Sequence, residues 1–346
     1  MDLRELRFGV EVEMTGLARV QAAQVAADYF GSRIGFDGTY YDKHSACDSQ
    51  GRKWTFMSDS SITGQVNRDG RIVNAGGRDY QVELVTPICR YEDIPTIQQL
   101  VERLRRAGAL TNESCGLHIH VDAAAFDARC LRNLVNIVAA KEDLLYKALR
   151  VPVRREHYCQ KMNTDFLQRL NLIRPSTREQ VSQVWYTEQP DGATPITAHY
   201  HDSRYHALNL HSVFTKGTVE FRLFNSTVER TDQIKAYIQL CLAVSAQALN
   251  QRHASHARTQ SPNEKYTFRT WLLHLGMIGE EFKEARSCLL EHLDGNIAWK
   301  DPAQAERQKE RLRRQREAEE AAAAPPEQQA DQEAGEESPA FTMTMS

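Results

Sequence analysis

No stretch of the 346-residue sequence approaches the ~20 consecutive apolar residues that a membrane-spanning helix needs. No membrane association is therefore expected. There is no GxxxxGKS or GxxxxGKT and no GxGxxG, which removes P-loop and Rossmann modes of nucleotide binding, and no HExxH, which removes the zincin type of metal site. The seven cysteines are odd in number and none stands at CxxC spacing. With no secretory h-region opening the sequence, the expectation is free thiols in a reducing cytoplasm. Charge of either sign is not in excess: 43 basic against 46 acidic residues leaves a net charge of −3, which gives no electrostatic reason for nucleic-acid binding. What remains is ordinary for a soluble globular protein, at 41% hydrophobic and 26% charged residues, with length enough for one large domain or two.

Composition changes sharply near residue 300. ERQKERLRRQR, residues 306–316, is dominated by charge and reads as a solvated helix, placed at 301–320. Residues 317–346 carry acidic but no basic side chains, and 321–346 read as a disordered acidic tail, because such a composition buries too little apolar surface to offset ordering entropy. That tail is a candidate for recruiting a protein partner. The folded domain is expected to occupy 1–300.

Within that domain, apolar residues recur at helical spacing over 94–104, 131–149, 234–248 and 268–275. Between them lie runs of strict alternation: RFGVEVEMT (7–15), WTFMSD (54–59), YQVELVT (80–86), GLHIHVD (116–122) and GTVEFRLF (217–224). Alternation marks strands with one buried face. Residues 36–53 and 64–79 are rich in Gly, Asp, Asn and Ser, and read as long loops or turn-linked edge strands.

Four of these strands share a peculiarity. Side chains two apart point the same way. Thus Glu11 and Glu13 share the face opposite Phe8, Val10, Val12 and Met14; Gln81 and Glu83 oppose Tyr80, Val82 and Leu84; His118 and His120 oppose Leu117, Ile119 and Val121; Glu220 and Arg222 oppose Val219, Phe221 and Leu223. Singly, each pair fits the wet side of an antiparallel sheet. The choice of residues argues otherwise, since wet faces favour Thr, Lys and Ser, and Glu is a poor strand former. Two glutamates at i and i+2, about 6–7 Å apart, repel by roughly 2–3 kcal/mol at an effective dielectric near 20. Further carboxylates worsen this unless a cation sits among them. A carboxylate-rich set suits hard divalent ions such as Mg2+ or Mn2+, and Arg222 beside it can hold an anion in bidentate fashion.

Taken in order, FGVEVE, SDSSI, ELVTP, CGLHIHV and TVEFRLF resemble the amidoligase family of carboxylate–amine ligases, within the glutamine synthetase and glutamate–cysteine ligase superfamily, over roughly residues 5–250. The resemblance implies an α+β fold, with an antiparallel sheet whose one face is polar and metal-binding and whose other face carries helices. It also implies ATP, two or three Mg2+ or Mn2+ ions, and attack of an amine on an acyl phosphate. The carboxylate would belong to an amino acid, a peptide or a protein, for instance a glutamate side chain.

Residue by residue, the resemblance makes Glu11 and Glu13 ligands of two different ions, with Glu83 and Glu220 completing metal sites. His118 becomes a ligand of the ion nearest the nucleotide phosphates, and His120 lies beside the substrate or the transferred phosphate. Arg222 would stabilise the phosphoryl group in flight, Asp59 and Ser61 would be substrate-side contacts, and Asn209 would belong to the metal or nucleotide region. Arg154 and Arg155 resemble a basic pair near the substrate mouth, although a solvated loop accounts for them as well. His120, Asp59 and Glu83 are all possible bases for the incoming amine.

Two other readings stay open: a phosphotransferase on the same fold, and a catalytically inactive nucleotide- or peptide-binding protein. HYHDSRYHALNLH (199–211) is rich in histidine, but its spacing does not put three ligands on one face. It reads as a loop leading into a strand at 205–211. Cys115 and Cys159 have no base adjacent in sequence and read as structural thiols.

Overall fold

Alternation of apolar and polar side chains along so many short segments demands a sheet that buries one face, and the computed structural model contains it. The structure describes residues 1–323, apart from 39, 188–197, 199 and 200. The strands are β1 (Phe8–Met14), β2 (Gly35–Phe36), β3 (His44–Cys47), β4 (Lys53–Met57), β5 (Gln65–Arg68), β6 (Arg71–Asn74), β7 (Val82–Val85), β8 (Gly116–Asp122), β9 (Leu208–Asn209) and β10 (Thr218–Asn225). The helices are α1 (Arg19–Phe30), α2 (Ile94–Arg106), α3 (Ala128–Ala148), α4 (Thr164–Ile173), α5 (Arg178–Thr187), α6 (His211–Thr215), α7 (Thr231–Asn250), α8 (Glu264–His274), α9 (Lys283–Leu290) and α10 (Pro302–Ala323). Eight strands form one sheet in the order β2-β3-β4-β7-β1-β8-β10-β9, and every pair in it is antiparallel. β5 and β6 make a separate hairpin. The molecule is an α+β protein with a large antiparallel sheet.

The apolar row runs through Val10, Val12, Leu84, Leu117, Ile119, Val219 and Phe221, all buried. Helices cover it: α7 packs on β8 and against α2 and α3, and α1 packs on β3 and β4. The four helical patterns in the sequence correspond to α2, α3, α7 and α8. Their starts follow from local chemistry. Asp127 caps α3 by accepting the Cys130 N–H at 2.7 Å, and Pro95 stands in the first turn of α2, where its missing N–H costs nothing.

Two places depart from the expected pattern. Strict alternation predicts Leu223 as the next apolar-row residue after Phe221. Instead β10 carries a bulge: Phe221 pairs with Ile119 but Phe224 pairs with Leu117, so three residue steps on β10 match two on β8. Phe224 takes the place in the row and stacks on Tyr237 of α7 at 4.5 Å between ring centroids. The strand expected at 205–211 is only the two-residue β9, after which the chain turns into α6. The 36–53 stretch supplies the end of the edge strand β2 and its neighbour β3, with turns beside them; Arg52, bonded to Asp48 and, through both terminal nitrogens at 2.8 Å, to Asp93, ties that side of the sheet to the start of α2.

The glycine at 16 is required. Gly16 follows β1 at φ +87°, and an added Cβ would stand 2.3 Å from the Gly108 carbonyl oxygen.

The chain divides into two units between Lys300 and Asp301. In the second, α10 is laced by pairs one turn apart, such as Glu310 with Arg313 and Arg314. The acidic tail read at 321–346 enters the described residues only through 321–323, which end α10; residues 324–346 lie outside them. No helix among the described residues is long and apolar enough to cross a membrane.

Candidate active site

Register brings the polar halves of four strands together. Across β1 and β8, Glu11 lies opposite His118 and Gly9 opposite His120; across β1 and β7, Glu13 lies opposite Glu83. On β10, Glu220 lies opposite His120 on one side and Asn209 of β9 on the other. All are buried or nearly so.

Glu11 is the hub. Its Oε2 lies 3.0 Å from His118 Nδ1 and its Oε1 lies 3.1 Å from His120 Nε2. Lys216, in the turn before β10, brings its Nζ to 3.7 Å from the same Oε1. His118 Nε2 lies 3.8 Å from Glu13 Oε1, and Glu13 Oε2 accepts the Gly116 N–H at 2.6 Å. Glu220 Oε2 accepts from Asn209 Nδ2 at 2.6 Å, while its Oε1 accepts from Arg222 Nη1. His120 Nδ1 and the Thr218 hydroxyl are 2.9 Å apart. Glu83 makes no hydrogen bond or ion pair among the described residues, and its carboxyl lines a cavity of about 550 Å3 together with Glu11, Glu13, Asp59, His118, Arg155 and Arg222.

Electrostatics sorts these groups. Burial raises Glu13 to about 8, with Asp59 adding to it. Burial also drives Glu83 well above the carboxylate range, and Glu11, Asp59 and Glu13 push the same way. Burial would raise Glu11 too, but His120 and His118 outweigh it and hold that carboxyl well below its ordinary value. In Glu220, burial is outweighed chiefly by Arg222, and the group is lowered. The histidines diverge. Burial and the Arg222 charge lower His118 to about 4, whereas in His120 the pull of Glu11 and Glu220 overcomes burial and raises it.

Three overlapping sets of ligand atoms could hold a metal ion: Glu11, His120 and Glu220; Glu11, Glu83 and His118; Glu13, Asp59 and Glu83. Within each set the ligand atoms lie within 4.8 Å of one another. His120 and Asp59, read from the sequence as substrate-side groups, thus both stand inside metal-capable sets. Ser61 lines the cavity and its N–H donates to Asp59 Oδ1 at 2.7 Å.

The basic pair at 154–155 divides. Arg154 is exposed and pairs with Glu113 at 2.8 Å; Arg155 is buried against β10. Both nevertheless line the cavity, Arg154 at its exposed rim together with Glu113. Cys115 and Cys159 are buried, and burial pushes the Cys115 thiol up to about 11 and raises that of Cys159, so neither offers a thiolate near neutrality. In the 201–211 segment, His201 stacks on His211, His211 is 2.6 Å from the Tyr186 hydroxyl, and His206 packs on Trp185. These are packing histidines, and among the described residues no metal-capable set includes them. His199 lies outside the described residues.

Sequence reading passed over Lys216, Thr218 and Gly116. A signal for two of them existed: continuing the β10 alternation backward from Glu220 by two and four residues reaches Thr218 and Lys216. For Gly116 there was none, since its role depends on its N–H meeting the Glu13 side chain 103 positions earlier.

Comparison with known proteins agrees with the sequence resemblance. A family model described as "Putative amidoligase enzyme" matches residues 4–245. One solved structure, a bifunctional glutathione synthetase from Pasteurella multocida, is similar at 12% identity with a TM-score of 0.38, over 84% of this chain and 47% of that one. The chain thus spans about half the length of that protein. None of the curated proteins matches it.

Proposed function

From a chain that belongs to the amidoligase family, we propose an ATP- and Mg2+-dependent carboxylate–amine ligase working through an acyl phosphate. Its carboxylate substrate would be an amino acid, a peptide or a protein side chain such as glutamate. The observation that carries this reading is the gathering of Glu11, Glu13, Glu83 and Glu220 on one sheet face, joined by Asp59 from the loop after β4, in three ligand sets.

The donor set fits a hard divalent ion. Five carboxyl groups converge, Glu83 is buried with no hydrogen-bond partner among the described residues, and its neighbours raise its proton affinity. That is a deficit of positive charge which Mg2+ or Mn2+ would fill. We assign Glu11, Glu13, Glu83, Glu220 and His118 to hold the ions, and His118, lowered to about 4, is neutral at pH 7 as a ligand nitrogen must be. Bound there, the ions would offset charge on phosphate oxygens.

The remaining work belongs to side chains. Arg222 is fixed by Glu220 and lines the cavity, so its guanidinium meets phosphoryl oxygens without reorganisation. Asn209 orients Glu220, and we place it beside the nucleotide. His120, whose raised proton affinity favours the imidazolium, holds Nε2 against Glu11 Oε1 at 3.1 Å, and we place it beside the transferred phosphate. Asp59, on the loop after β4, lines the cavity, and we assign it to the substrate side.

The test is ATP turnover with Mg2+ across candidate carboxylates in the presence of hydroxylamine. Hydroxamate formation is expected. ADP release without hydroxamate would point to a phosphotransferase, and Mg–ATP binding with no turnover on any carboxylate would point to a binding protein.

A further inference from the structure

Arg155 is a buried guanidinium without a carboxylate partner among the described residues. Its Nη1 donates to the Phe224 carbonyl at 2.6 Å and to Asn225 Oδ1 at 2.9 Å, and its Nη2 donates to the Arg222 carbonyl at 3.2 Å. All three acceptors are neutral. Burying a cation among neutral oxygens is costly, and burial indeed lowers its proton affinity. A group held at that cost needs a reason beyond packing.

The acceptors identify the reason. Two are carbonyls within the β10 bulge, where the ladder to β8 is broken between Phe221 and Phe224. A bulge frees backbone groups and re-aims the side chains beside it. Here the freed backbone is pinned on both sides: the Arg222 N–H donates to the Ala207 carbonyl at 2.8 Å, and the Arg222 carbonyl is taken by Arg155.

The rest of the chain makes room for the clamp. At Gly116 any Cβ would stand 2.7 Å from Arg155 Nη2 and 3.0 Å from His118 Nε2. The loop that carries Arg155 is tied down on α3 twice, by the Tyr146 hydroxyl on the Cys159 carbonyl and by Glu142, which accepts the Met162 N–H at 2.6 Å.

We propose that Arg155 is a positioning residue which braces the β10 bulge and so aims the Arg222 guanidinium at the reacting group. Its bearing on turnover rests on the ligase reading above; its bearing on Arg222 does not. Arg155→Lys keeps the charge but loses the fork that spans three oxygens.

The experiment is run on the full chain with isotope-labelled arginine. The Nε–H signal of Arg222, a buried nitrogen with no hydrogen-bond partner among the described residues, is assigned by its loss in Arg222→Lys. Arg155→Lys is expected to shift or broaden that signal while the melting transition stays cooperative. Turnover should fall by about 100-fold, the usual consequence of misplacing a group by an ångström, with KM for ATP unchanged. In the Arg222→Lys background the same substitution should cost almost nothing further. An unaltered Arg222 signal, or an undiminished loss in the double variant, overturns the proposal. A wild-type protein that turns over no ATP overturns the ligase reading instead, and the Arg222 signal still decides the brace. Should Arg155→Lys not fold, Asn225→Ala removes one acceptor, leaves the guanidinium, and is read in the same way.

Discussion

Glu11 lies directly across the β1–β8 pair from His118, with its Oε2 3.0 Å from Nδ1. The same carboxylate reaches His120 through its other oxygen and belongs to two of the three metal-capable sets. Glu11→Gln is therefore expected to weaken Mn2+ binding by more than about 10-fold, read by calorimetric titration. Unchanged affinity would remove Glu11 from the ligand set.

Glu83 should reveal itself through stability when no metal is present. Its folded-state proton affinity is raised by burial and by Glu11, Asp59 and Glu13. The folded form then binds the proton more tightly than the unfolded form, so this contribution is complete below the unfolded value and is lost as pH rises through the folded one. In chelator, Glu83→Gln is expected to melt higher than wild type at pH 8 and to differ little at pH 5. The same substitution should weaken Mn2+ binding, and a lower melting temperature at pH 8 would contradict the account.

For Arg222→Ala we expect turnover to fall by more than about 100-fold, the scale on which preorganised charge stabilisation operates. Glu220 would keep only Asn209 as a direct hydrogen-bond donor, so the melting temperature should drop as well while circular dichroism remains native. Glu13→Ala should also abolish turnover. Near-normal rates in both variants would move the site elsewhere.

A second pH effect lies on α3, away from the metal-capable sets. Burial raises Glu142 to about 7, with its Oε1 accepting the Met162 N–H and its Oε2 unpartnered. Stability should decline as pH rises from the unfolded value of 4.5 through about 7. Glu142→Gln keeps an acceptor for Met162 and cannot ionise; it is expected to flatten that decline, by up to about 3 kcal/mol at pH 8. Denaturant melts at pH 5 and pH 8 measure it, and parallel curves for the two proteins would refute it.

Gly16→Ala tests the turn after β1. Both the left-handed backbone and the overlap with the Gly108 carbonyl oppose a Cβ there. A loss of more than about 2 kcal/mol is expected in urea unfolding, against a smaller loss of about 1 kcal/mol for Gly51→Ala, where the left-handed backbone alone opposes a Cβ and the space is open.

The order of strands and helices was largely legible because each element writes its burial pattern in its own residues. The alternation of β1, β7, β8 and β10 also told which side chains share a face, so Glu11, Glu13, Glu83, His118, His120, Glu220 and Arg222 could be grouped before any fold was known. That two-residue period is a local property of extended backbone. What local sequence could not decide is register and reach. Whether Glu11 meets His118 or its neighbour depends on how two distant strands slide, and Arg155 bracing the bulge depends on a contact 67 residues apart. The bulge itself has no sequence signature, because a single extra residue leaves composition unchanged and is settled only by what Phe224 packs against. The opposite shifts of His118 and His120 belong to the tertiary structure for the same reason: each is the sum of burial and of charges delivered by other strands.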